Sequence, residues 1–267
     1  MDRLKGKYAL VVGAGQTPGT TIGNGRAVAV RFAQEGASVF AVDRDLERAT
    51  ATADAINQEG GHCVPFAADI TVEADIVRMV QACMKEFGRI DILHNNVGVA
   101  GAAGDAPVAS ISGEVFDQIH AINLRGMVMT CKHVLPIFES QKSGVIINVG
   151  SLAAVTVYKN IAYKTSKAGV MALTHNIATN YAPHGVRCNT ILPGLVDTPM
   201  AIEARASGDD ASRAKVREVR DAMVPLRGKM GSAWDIANAA LFLASDEASF
   251  VTGVDLAVDG GLMAMRG

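Results

Sequence analysis

Three side chains in the second half of the chain have the types and spacing needed for proton transfer. Tyr163 and Lys167 are four residues apart in a stretch with helical spacing, so they share one helix face. Ser151 ends the strand-like run before this helix, where a site is expected. A tyrosine has a pKa of about 10 in water, and lowering it by about three units needs roughly 4 kcal/mol. A nearby cation supplies about that much at an effective dielectric near 20, so the set can give or take an alcohol proton.

Each of these residues has a plainer interpretation when it is taken alone. A tyrosine and a lysine four apart more often form a surface pair on a helix, and Ser151 is also a suitable helix N-cap. Tyr158 and Tyr181 lack a basic residue four positions later, where the chain has Ala162 and Gly185. The prediction of a proton-transfer site therefore depends on the combination.

A glycine-rich turn between Gly13 and Gly25 indicates a second function, the binding of a dinucleotide. Its glycines would let the backbone approach a pyrophosphate, and the following helix offers its free N–H groups and positive dipole end. Glycines alone are a weak signal, because ordinary flexible turns contain them too. The order of strand, turn and helix strengthens the prediction.

The residue that ends the second strand bears on the choice of cofactor. A carboxylate at Asp43 can accept hydrogen bonds from the adenosine ribose, and it would repel the additional phosphate of NADP. No Lys or Arg lies between Gly13 and Gly25, and Arg44 is the one nearby cation that could bind this phosphate. We therefore expect NAD in preference to NADP, with a solvated loop acid as the alternative for Asp43.

Strands and helices that could position these residues alternate along the chain. Short apolar runs predict strands over 8–12, 38–42, 63–68, 90–94, 145–149, 186–192 and 254–258. Helical spacing covers 27–35, 46–59, 73–87, 113–141, 163–182 and 233–244. Wholly apolar strands separated by helices indicate a parallel sheet buried on both faces, with right-handed crossovers and ligands at the carboxyl ends of the strands. We expect one α/β domain of Rossmann type over residues 1–267, with a doubly wound parallel sheet and helices on both faces.

One part of the chain does not follow this regular alternation of apolar strands and helices. Residues 195–230 are polar and charged, with a helix-prone stretch near 209–223. Because insertions near the carboxyl ends of strands often cover a site, we expect a substrate flap here.

Composition and charge exclude several classes of function. Apolar residues make up 49% of the 267 residues and charged residues 19%, which is typical of a soluble globular protein. With a net charge of −2, the chain is not expected to bind nucleic acid. No apolar stretch is long enough to span a bilayer. The start of the chain lacks the apolar core of a secretory signal. Four scattered cysteines indicate a reduced, cytoplasmic protein, and six histidines without ligand spacing predict no metal site.

Short motifs in order along the chain resemble those of the short-chain dehydrogenase/reductase family. The match runs from about Lys7 to Gly261 and consists of the glycine turn, Asp69-Ile70, Asn95-Asn96-Val97-Gly98, Asn123, Ser151 twelve residues before Tyr163, the Tyr-x-x-x-Lys pair of Tyr163 and Lys167, Pro193-Gly194 with Thr198, and Val258-Asp259-Gly260-Gly261. So many matches in the right order are specific together.

The resemblance implies a role for each of these residues. Tyr163 would be the general acid or base, Lys167 would hold the ribose and lower the tyrosine pKa, Ser151 would orient the carbonyl oxygen, and Asn123 would position a water for proton relay. Cofactor contacts would come from Gly13, Gly15, Ile22, Gly23, Gly25, Asp43, Asp69, Ile70, Asn96, Gly98, Tyr163, Lys167, Pro193, Val196 and Thr198. The family resemblance also implies a homotetramer or homodimer, commonly built from the long central helices.

The chain departs from the family pattern at three places. The glycine turn is several residues longer between Gly15 and Gly23, and we expect an ordered excursion that reaches the cofactor or a neighbouring subunit. Val12 replaces the usual threonine before the first glycine, and Gly150 replaces the usual serine before Ser151. Ser151 is therefore the one hydroxyl at that point.

The resulting prediction is an NAD(P)-dependent oxidoreductase that transfers a hydride between nicotinamide and a secondary alcohol or ketone. The alternative is a catalytically inactive sensor or scaffold that binds a dinucleotide, which would not need an intact Asn-Ser-Tyr-Lys set. An enoyl reductase of related fold is a third possibility, but that chemistry usually goes with a longer tyrosine–lysine spacing.

Three segments are expected to select the substrate: residues 97–108, the residues after Ser151, and the flap. Their apolar and small side chains predict a largely uncharged substrate; these are Ala153, Ala154, Val155, Val157, Leu195 and Met200. Arg205, Arg213 and Arg217 could instead bind an anionic group if the flap folds inward, although a solvated face is the favoured interpretation.

Overall fold

A parallel sheet of seven strands forms the centre of the molecule, in a computed structural model that describes residues 2–100 and 104–266. The strands are β1 (Tyr8–Val12), β2 (Ser38–Asp43), β3 (His62–Ala67), β4 (Ile92–Asn95), β5 (Gly144–Val149), β6 (Val186–Pro193), β7 (Val196–Asp197), β8 (Gly231–Ser232) and β9 (Asp255–Val258). The order across the sheet is β3-β2-β1-β4-β5-β6-β9, while β7 and β8 pair with each other.

Helices cover both faces of this sheet. They are α1 (Asn24–Gln34), α2 (Leu46–Gln58), α3 (Glu73–Phe87), α4 (Gly113–His120), α5 (Gly126–Gln141), α6 (Ile161–Asn180), α7 (Pro199–Ile202), α8 (Asp210–Asp221), α9 (Ala233–Ala244) and α10 (Leu262–Arg266). One core cluster joins the sheet to α1, α2 and α9, and a second joins it to α3, α5 and α6. The predicted single-domain Rossmann-type fold is confirmed.

The register of the strands brings their carboxyl ends to one edge. Val12 at the end of β1 pairs with Asn95, and Asn95 pairs with Asn148 of β5. Val149, one residue further, pairs with Ile191 of β6. The chain passes from β3 at the border of the sheet to β4 beside β1, and this reversal of strand order creates a crevice above β1 and β4.

The predicted element bounds agree closely, and two differences have local causes. Helix α1 begins at Asn24, three residues before the predicted start, because extended Gly23 precedes it and accepts the N–H of Ala27 at 2.9 Å. The predicted helix over 113–141 is interrupted by a wider π turn at Ala121–Arg125, between α4 and α5. A π turn keeps the apolar spacing nearly helical, so periodicity does not detect it.

Residues 195–230 contain β7, α7 and α8. The predicted helix near 209–223 corresponds to α8. The pairing of β7 with β8 was not predicted, because two-residue strands are too short for an alternating pattern. Val196 in β7 and Met230 just before β8 are buried and attach this segment to the body of the protein.

Other findings concern membranes, metals and thiols. Across residues 2–100 and 104–266, no helix combines the length and the apolar character that a membrane crossing requires. The same residues contain no group of three or more His, Cys, Asp or Glu side chains placed to hold a metal ion. The cysteines Cys63, Cys83, Cys131 and Cys188 are all buried and free.

A histidine in the central strand β4 is buried without any polar partner. His94 is 0% exposed, and neither ring nitrogen has a hydrogen-bond partner within the described parts of the chain. Its ring packs edge-on against Phe32 at 6.2 Å between centroids. Because burial disfavours the charged imidazolium, the pKa of His94 is lowered to about 3.

We expect His94 to make the protein less stable in mild acid. The unfolded chain binds a proton at this histidine below pH about 6.5 while the folded chain does not, so stability is lost as the pH falls from about 6.5 toward 3. Urea unfolding of wild type and His94→Leu at pH 7 and 5 should show about 2 kcal/mol more loss in wild type. His62→Gln, at an exposed histidine, is the control. Equal losses in wild type and His94→Leu would contradict this.

Candidate active site

The glycine turn between β1 and α1 leaves bare backbone at the carboxyl end of β1. Gly13 has φ +88°, a conformation that favours glycine, and a Cβ there would lie 2.9 Å from Cγ2 of Val97. A Cβ on Gly25 would collide with the carbonyl oxygen of Gly13, and one on Gly15 would lie 2.6 Å from Oδ2 of Asp43. This backbone without side chains lies beside the N-terminus of an eleven-residue helix, so a pyrophosphate could approach it closely and bind there.

The residues that lengthen this turn are closed by one glutamine side chain. Oε1 of Gln16 accepts the N–H of Gly23 at 3.0 Å, and its Nε2 donates to the carbonyl of Thr21 at 3.4 Å. The glutamine therefore spans the base of the excursion and supports the start of α1.

The tip of the same excursion contacts residues 195–230 of the same chain. Arg217 donates to the Thr20 hydroxyl at 2.9 Å and pairs with Asp197 at 2.9 Å. The Thr21 hydroxyl donates to Asp197 at 3.4 Å. The excursion thus links the glycine turn to the segment that follows β6.

A cavity of about 160 Å³ lies beside the glycine turn, at the ends of β1, β2 and β4, and its lining includes Asp43, Asp69 and Ile70. Asp43 is half-buried, and its Oδ1 accepts the N–H of Asp45 at 3.1 Å. Burial raises the pKa of Asp69, but hydrogen bonds from the hydroxyl and N–H of Thr71, with nearby Arg44, outweigh it and lower the pKa. Both carboxylates therefore line a space of the kind an adenosine needs.

The segment after β4 connects the glycine turn to the predicted proton-transfer residues. Asn96 donates from Nδ2 to the carbonyl of Gly13 at 3.0 Å, so it holds the turn as well as bordering the crevice. A Cβ on Gly98 would lie 3.1 Å from Nζ of Lys167, so this glycine leaves room for the ammonium. Residues 101–103 of the predicted specificity segment 97–108 lie outside the described residues.

Ser151, Tyr163 and Lys167 meet at the carboxyl end of β5. The hydroxyl of Ser151 accepts the N–H of Ala153 at 3.1 Å, and it acts to lower the pKa of the Tyr163 phenol. Ser151 therefore caps a short 3₁₀ turn, and its role toward the tyrosine and the substrate oxygen stays a prediction. Lys167 is 3% exposed and donates to the carbonyl of Val149 at 2.8 Å, with Nζ 5.9 Å from the centre of the Tyr163 ring.

Burial is the largest influence on the pKa of both Tyr163 and Lys167. Burial raises the pKa of Tyr163, and the opposing effects of Ser151 and Arg205 do not reverse the shift. Lys167 is not among the groups that shift the pKa of Tyr163 here, and the expected lowering by Lys167 beside a bound nicotinamide stays a prediction. Burial lowers the pKa of Lys167 to about 8, which leaves it mostly charged at neutral pH.

Asn123 lies in the π turn between α4 and α5 and is fully buried. Its amide accepts the N–H of Val99 at 2.8 Å and donates to the carbonyl of Val99 at 3.0 Å. It also donates to the hydroxyl of Ser166 at 3.1 Å, and Ser166 donates to the carbonyl of Tyr163 at 2.9 Å. Asn123 is thereby tied to the helix of the tyrosine, and the π turn lies where function often places one.

The remaining predicted cofactor residues fall into two groups. Ile22 and Val196 pack against the hydrophobic core. Pro193 ends β6 at the carboxyl edge, and the Thr198 hydroxyl accepts the N–H of Ala201 at 3.3 Å, so it caps α7. A hydroxyl that caps a short helix could not be distinguished by sequence from one that binds a ligand.

Two residues of the cluster were not predicted. Tyr158, which lacks a basic partner four positions on, has its ring 5.6 Å from that of Tyr163. Lys164 donates to the carbonyls of Ala153 and Thr156 at 3.1 and 2.7 Å, so it binds the turn after Ser151 to α6. Lys164 adjoins Tyr163 in the sequence, which could have drawn attention to it. Its partners are backbone carbonyls, however, and the types of the surrounding side chains do not show such contacts.

The three arginines of residues 195–230 have different surroundings. Arg213 pairs with Glu203 at 2.9 Å and Arg217 pairs with Asp197 at 2.9 Å. Within the part of the chain that the structure describes, Arg205 forms no ion pair and donates to the carbonyl of Ala201 at 2.9 Å. Its positive charge acts to lower the pKa of Tyr163, against the larger effect of burial, which raises it.

Comparison with known proteins places the chain in a family. A family model described as enoyl-(acyl carrier protein) reductase matches residues 19–263. The chain is 38% identical to 3beta-hydroxysteroid dehydrogenase 1 of Eggerthella lenta, over 98% of this chain and 95% of that protein. It is 35% identical to 2-(R)-hydroxypropyl-CoM dehydrogenase of Xanthobacter autotrophicus, over 92% and 97%.

A solved structure agrees with these matches. The crystal structure of a putative short-chain dehydrogenase/reductase from Burkholderia xenovorans superposes with a TM-score of 0.89 at 41% identity, covering 99% of each chain. The chain belongs to the short-chain dehydrogenase/reductase family. Its relatives are dehydrogenases and reductases of alcohols and ketones, and it is an oxidoreductase of this kind that uses a nicotinamide cofactor.

Proposed function

We propose that Tyr163 is the general acid and base of this oxidoreductase. The geometry that carries the proposal is the position of its ring, whose centre lies 5.9 Å from the 3%-exposed ammonium of Lys167 on the same helix, with Ser151 acting to lower the pKa of the phenol. Ser151 orients the substrate oxygen, and Asn123 supports a proton path toward solvent. The nicotinamide cofactor supplies hydride transfer when bound.

The raised pKa of Tyr163 gives the two directions different pH dependence. A protonated phenol is the acid needed to reduce a ketone, so reduction proceeds at neutral pH. Alcohol oxidation needs the deprotonated phenol, so its rate increases as the pH rises. Lys167 and the oxidised cofactor, both positive, favour the phenolate once the cofactor is bound.

The cofactor is proposed to be NAD rather than NADP. The glycine turn, Asp69, Ile70 and the backbone near Gly98 would hold it along the crevice. Asp43 beside Gly15 supports NAD, because a half-buried carboxylate there would repel a 2′-phosphate. Arg44 is exposed and lies on the rim of the same cavity.

The substrate is proposed to be a largely uncharged secondary alcohol or ketone, covered by residues 195–230 as a flap. Ala153 and Ala154 next to Ser151 are apolar, and two of the three flap arginines are neutralised by carboxylates. The links from Arg217 and Asp197 to the glycine turn support a flap that covers both cofactor and substrate.

The proposal also covers assembly and location. The fully exposed side chain of Phe250 and exposed Phe242 support a contact between subunits of a homodimer or homotetramer. Free, buried cysteines support a reducing, cytoplasmic location. Mass photometry of the purified protein distinguishes the two oligomers from a monomer.

Replacing Tyr163 tests the proposed function. Tyr163→Phe keeps the ring but removes the proton, so we expect turnover to fall at least about 100-fold with NADH affinity nearly unchanged. The measurement is NADH oxidation with 2-hexanone, cyclohexanone and anionic 5-oxohexanoate. Tyr181→Phe, away from the site, is the control.

Three results would contradict parts of this proposal. Equal turnover by wild type and Tyr163→Phe would exclude the acid–base role, and the inactive sensor requires that no ketone be turned over by either protein. A preference for 5-oxohexanoate over 2-hexanone that Arg205→Gln abolishes would replace the uncharged substrate with an anionic one.

Replacing Asp43 tests the cofactor preference. Wild type should have a kcat/KM for NAD at least about tenfold above that for NADP, and Asp43→Asn should reduce this ratio several-fold because it removes the repelling charge. Asp45→Asn at the neighbouring acid is the control. A wild-type ratio near one, or one that Asp43→Asn leaves unchanged, would refute the assignment.

A further inference from the structure

The first turn of α6, which carries Tyr163, is held by a distant part of the chain. Asn160 precedes the helix in an extended conformation but makes no side-chain capping hydrogen bond. The N–H groups of Ala162 and Tyr163 donate instead to the two carboxylate oxygens of Asp105, at 3.0 and 2.9 Å. The N–H of Ile161 donates to the carbonyl of Ala106 at 3.0 Å. Three consecutive donors that a helix start leaves open are thus satisfied from residues 105 and 106.

Asp105 is an unusual capping residue because it is buried. It is 8% exposed, and no cation pairs with it within residues 2–100 and 104–266. A buried carboxylate is costly unless hydrogen bonds and local charge compensate it. Here two N–H groups and the positive end of a twenty-residue helix provide that compensation. The buried carboxylate of Asp105 is therefore stabilised only while it stays at the start of α6.

The same stretch of chain touches the other proposed catalytic residues. Val99 is bound through both backbone groups by Asn123, at 2.8 and 3.0 Å. A Cβ on Gly98 would approach Nζ of Lys167 to 3.1 Å. Asp105 adds a contact at the backbone of Tyr163 itself. Segments that follow β4 thus meet Asn123, Lys167 and Tyr163 in turn.

We propose that Asp105 is a positioning residue that fixes the phenol of Tyr163 against Ser151 by clamping the first turn of α6. The proposal rests on the proposed role of Tyr163. Tyr163 is the third residue of α6, within the turn where an uncapped helix frays. A displacement of about 1 Å at a reacting group can cost about 100-fold in rate, so the clamp acts on turnover more than on binding.

A purely structural cap makes a different prediction. Loss of a helix cap costs about 1 kcal/mol of stability, and at a temperature well below unfolding such a loss leaves turnover unchanged. A positioning residue lowers kcat in the folded protein and leaves the binding of NADH unchanged. The split between kcat and binding therefore distinguishes the two.

The experiment compares Asp105→Ala and Asp105→Asn with Ser112→Ala, which removes the N-cap of α4 at an exposed site. The probes are NADH, followed by fluorescence titration, and whichever of 2-hexanone and cyclohexanone wild type reduces faster. We expect kcat to fall about 10- to 100-fold in Asp105→Ala and less in Asp105→Asn, which keeps one acceptor oxygen. NADH affinity should stay within about twofold, since no cofactor contact is removed.

Two further readouts report on the turn itself. Amide hydrogen exchange should accelerate at both Ala162 and Tyr163 in Asp105→Ala, which loses both acceptors, and at one of the two in Asp105→Asn, which keeps one acceptor. With NADH deuterated at the transferred position, the isotope effect on kcat should increase, because a misplaced tyrosine slows the chemical step. Ser112→Ala should change neither.

The outcomes distinguish a failure of the positioning role of Asp105 from a failure of the proposed acid–base role of Tyr163. A kcat in both Asp105 variants equal to that of Ser112→Ala would overturn the positioning role, as would a loss confined to NADH affinity. If Asp105→Ala does not fold, a wild-type kcat in Asp105→Asn overturns it, and a several-fold loss supports it. Turnover that survives Tyr163→Phe, measured alongside, would overturn the proposed function instead.

Discussion

The buried ammonium of Lys167 is the interaction on which the rest of the site depends. It is 3% exposed, it donates to the carbonyl of Val149 at the end of β5, and burial lowers its pKa to about 8. Burying a cation costs several kcal/mol unless polar groups surround it. The parallel sheet provides those groups, because the carboxyl ends of its strands meet at one edge. The absence of a side chain at Gly98 leaves the space beside the ammonium.

A buried polar network behind this edge keeps the strands and α6 in register. Asn95 of β4 donates to Asn148 of β5 at 2.9 Å, and Asn148 donates to Thr174 of α6 at 2.9 Å. Thr190 of β6 donates to the same threonine at 2.9 Å. Since each buried group has a partner, the network joins three strands to the helix that carries Tyr163 and Lys167. A shift of α6 along the sheet would leave these groups unpaired, which makes the helix position specific.

Much of this arrangement could be predicted, because its signals are local. The four-residue spacing of Tyr163 and Lys167, the apolar strands and the glycine turn each act over one turn or one strand, and the fold class followed from their order. Asp105 and Tyr158 could not be predicted, because their contacts depend on how a loop closes over a helix. The excursion after Gly15 was recognised, but its partners Asp197 and Arg217 are nearly two hundred residues away. The raised pKa of Tyr163 was not predicted, because spacing alone does not show how deeply the phenol is buried.

The central claim is that Lys167 is a buried cation at the proposed catalytic tyrosine. Its direct test is an NMR titration of protein labelled with ¹⁵N at the lysine side chains, with the Lys167 signal assigned by its absence in Lys167→Met. We expect the Lys167 ammonium to titrate near pH 8 in the protein without added cofactor. A titration near 10.5, the ordinary value for lysine, would show a solvated side chain and would contradict the account.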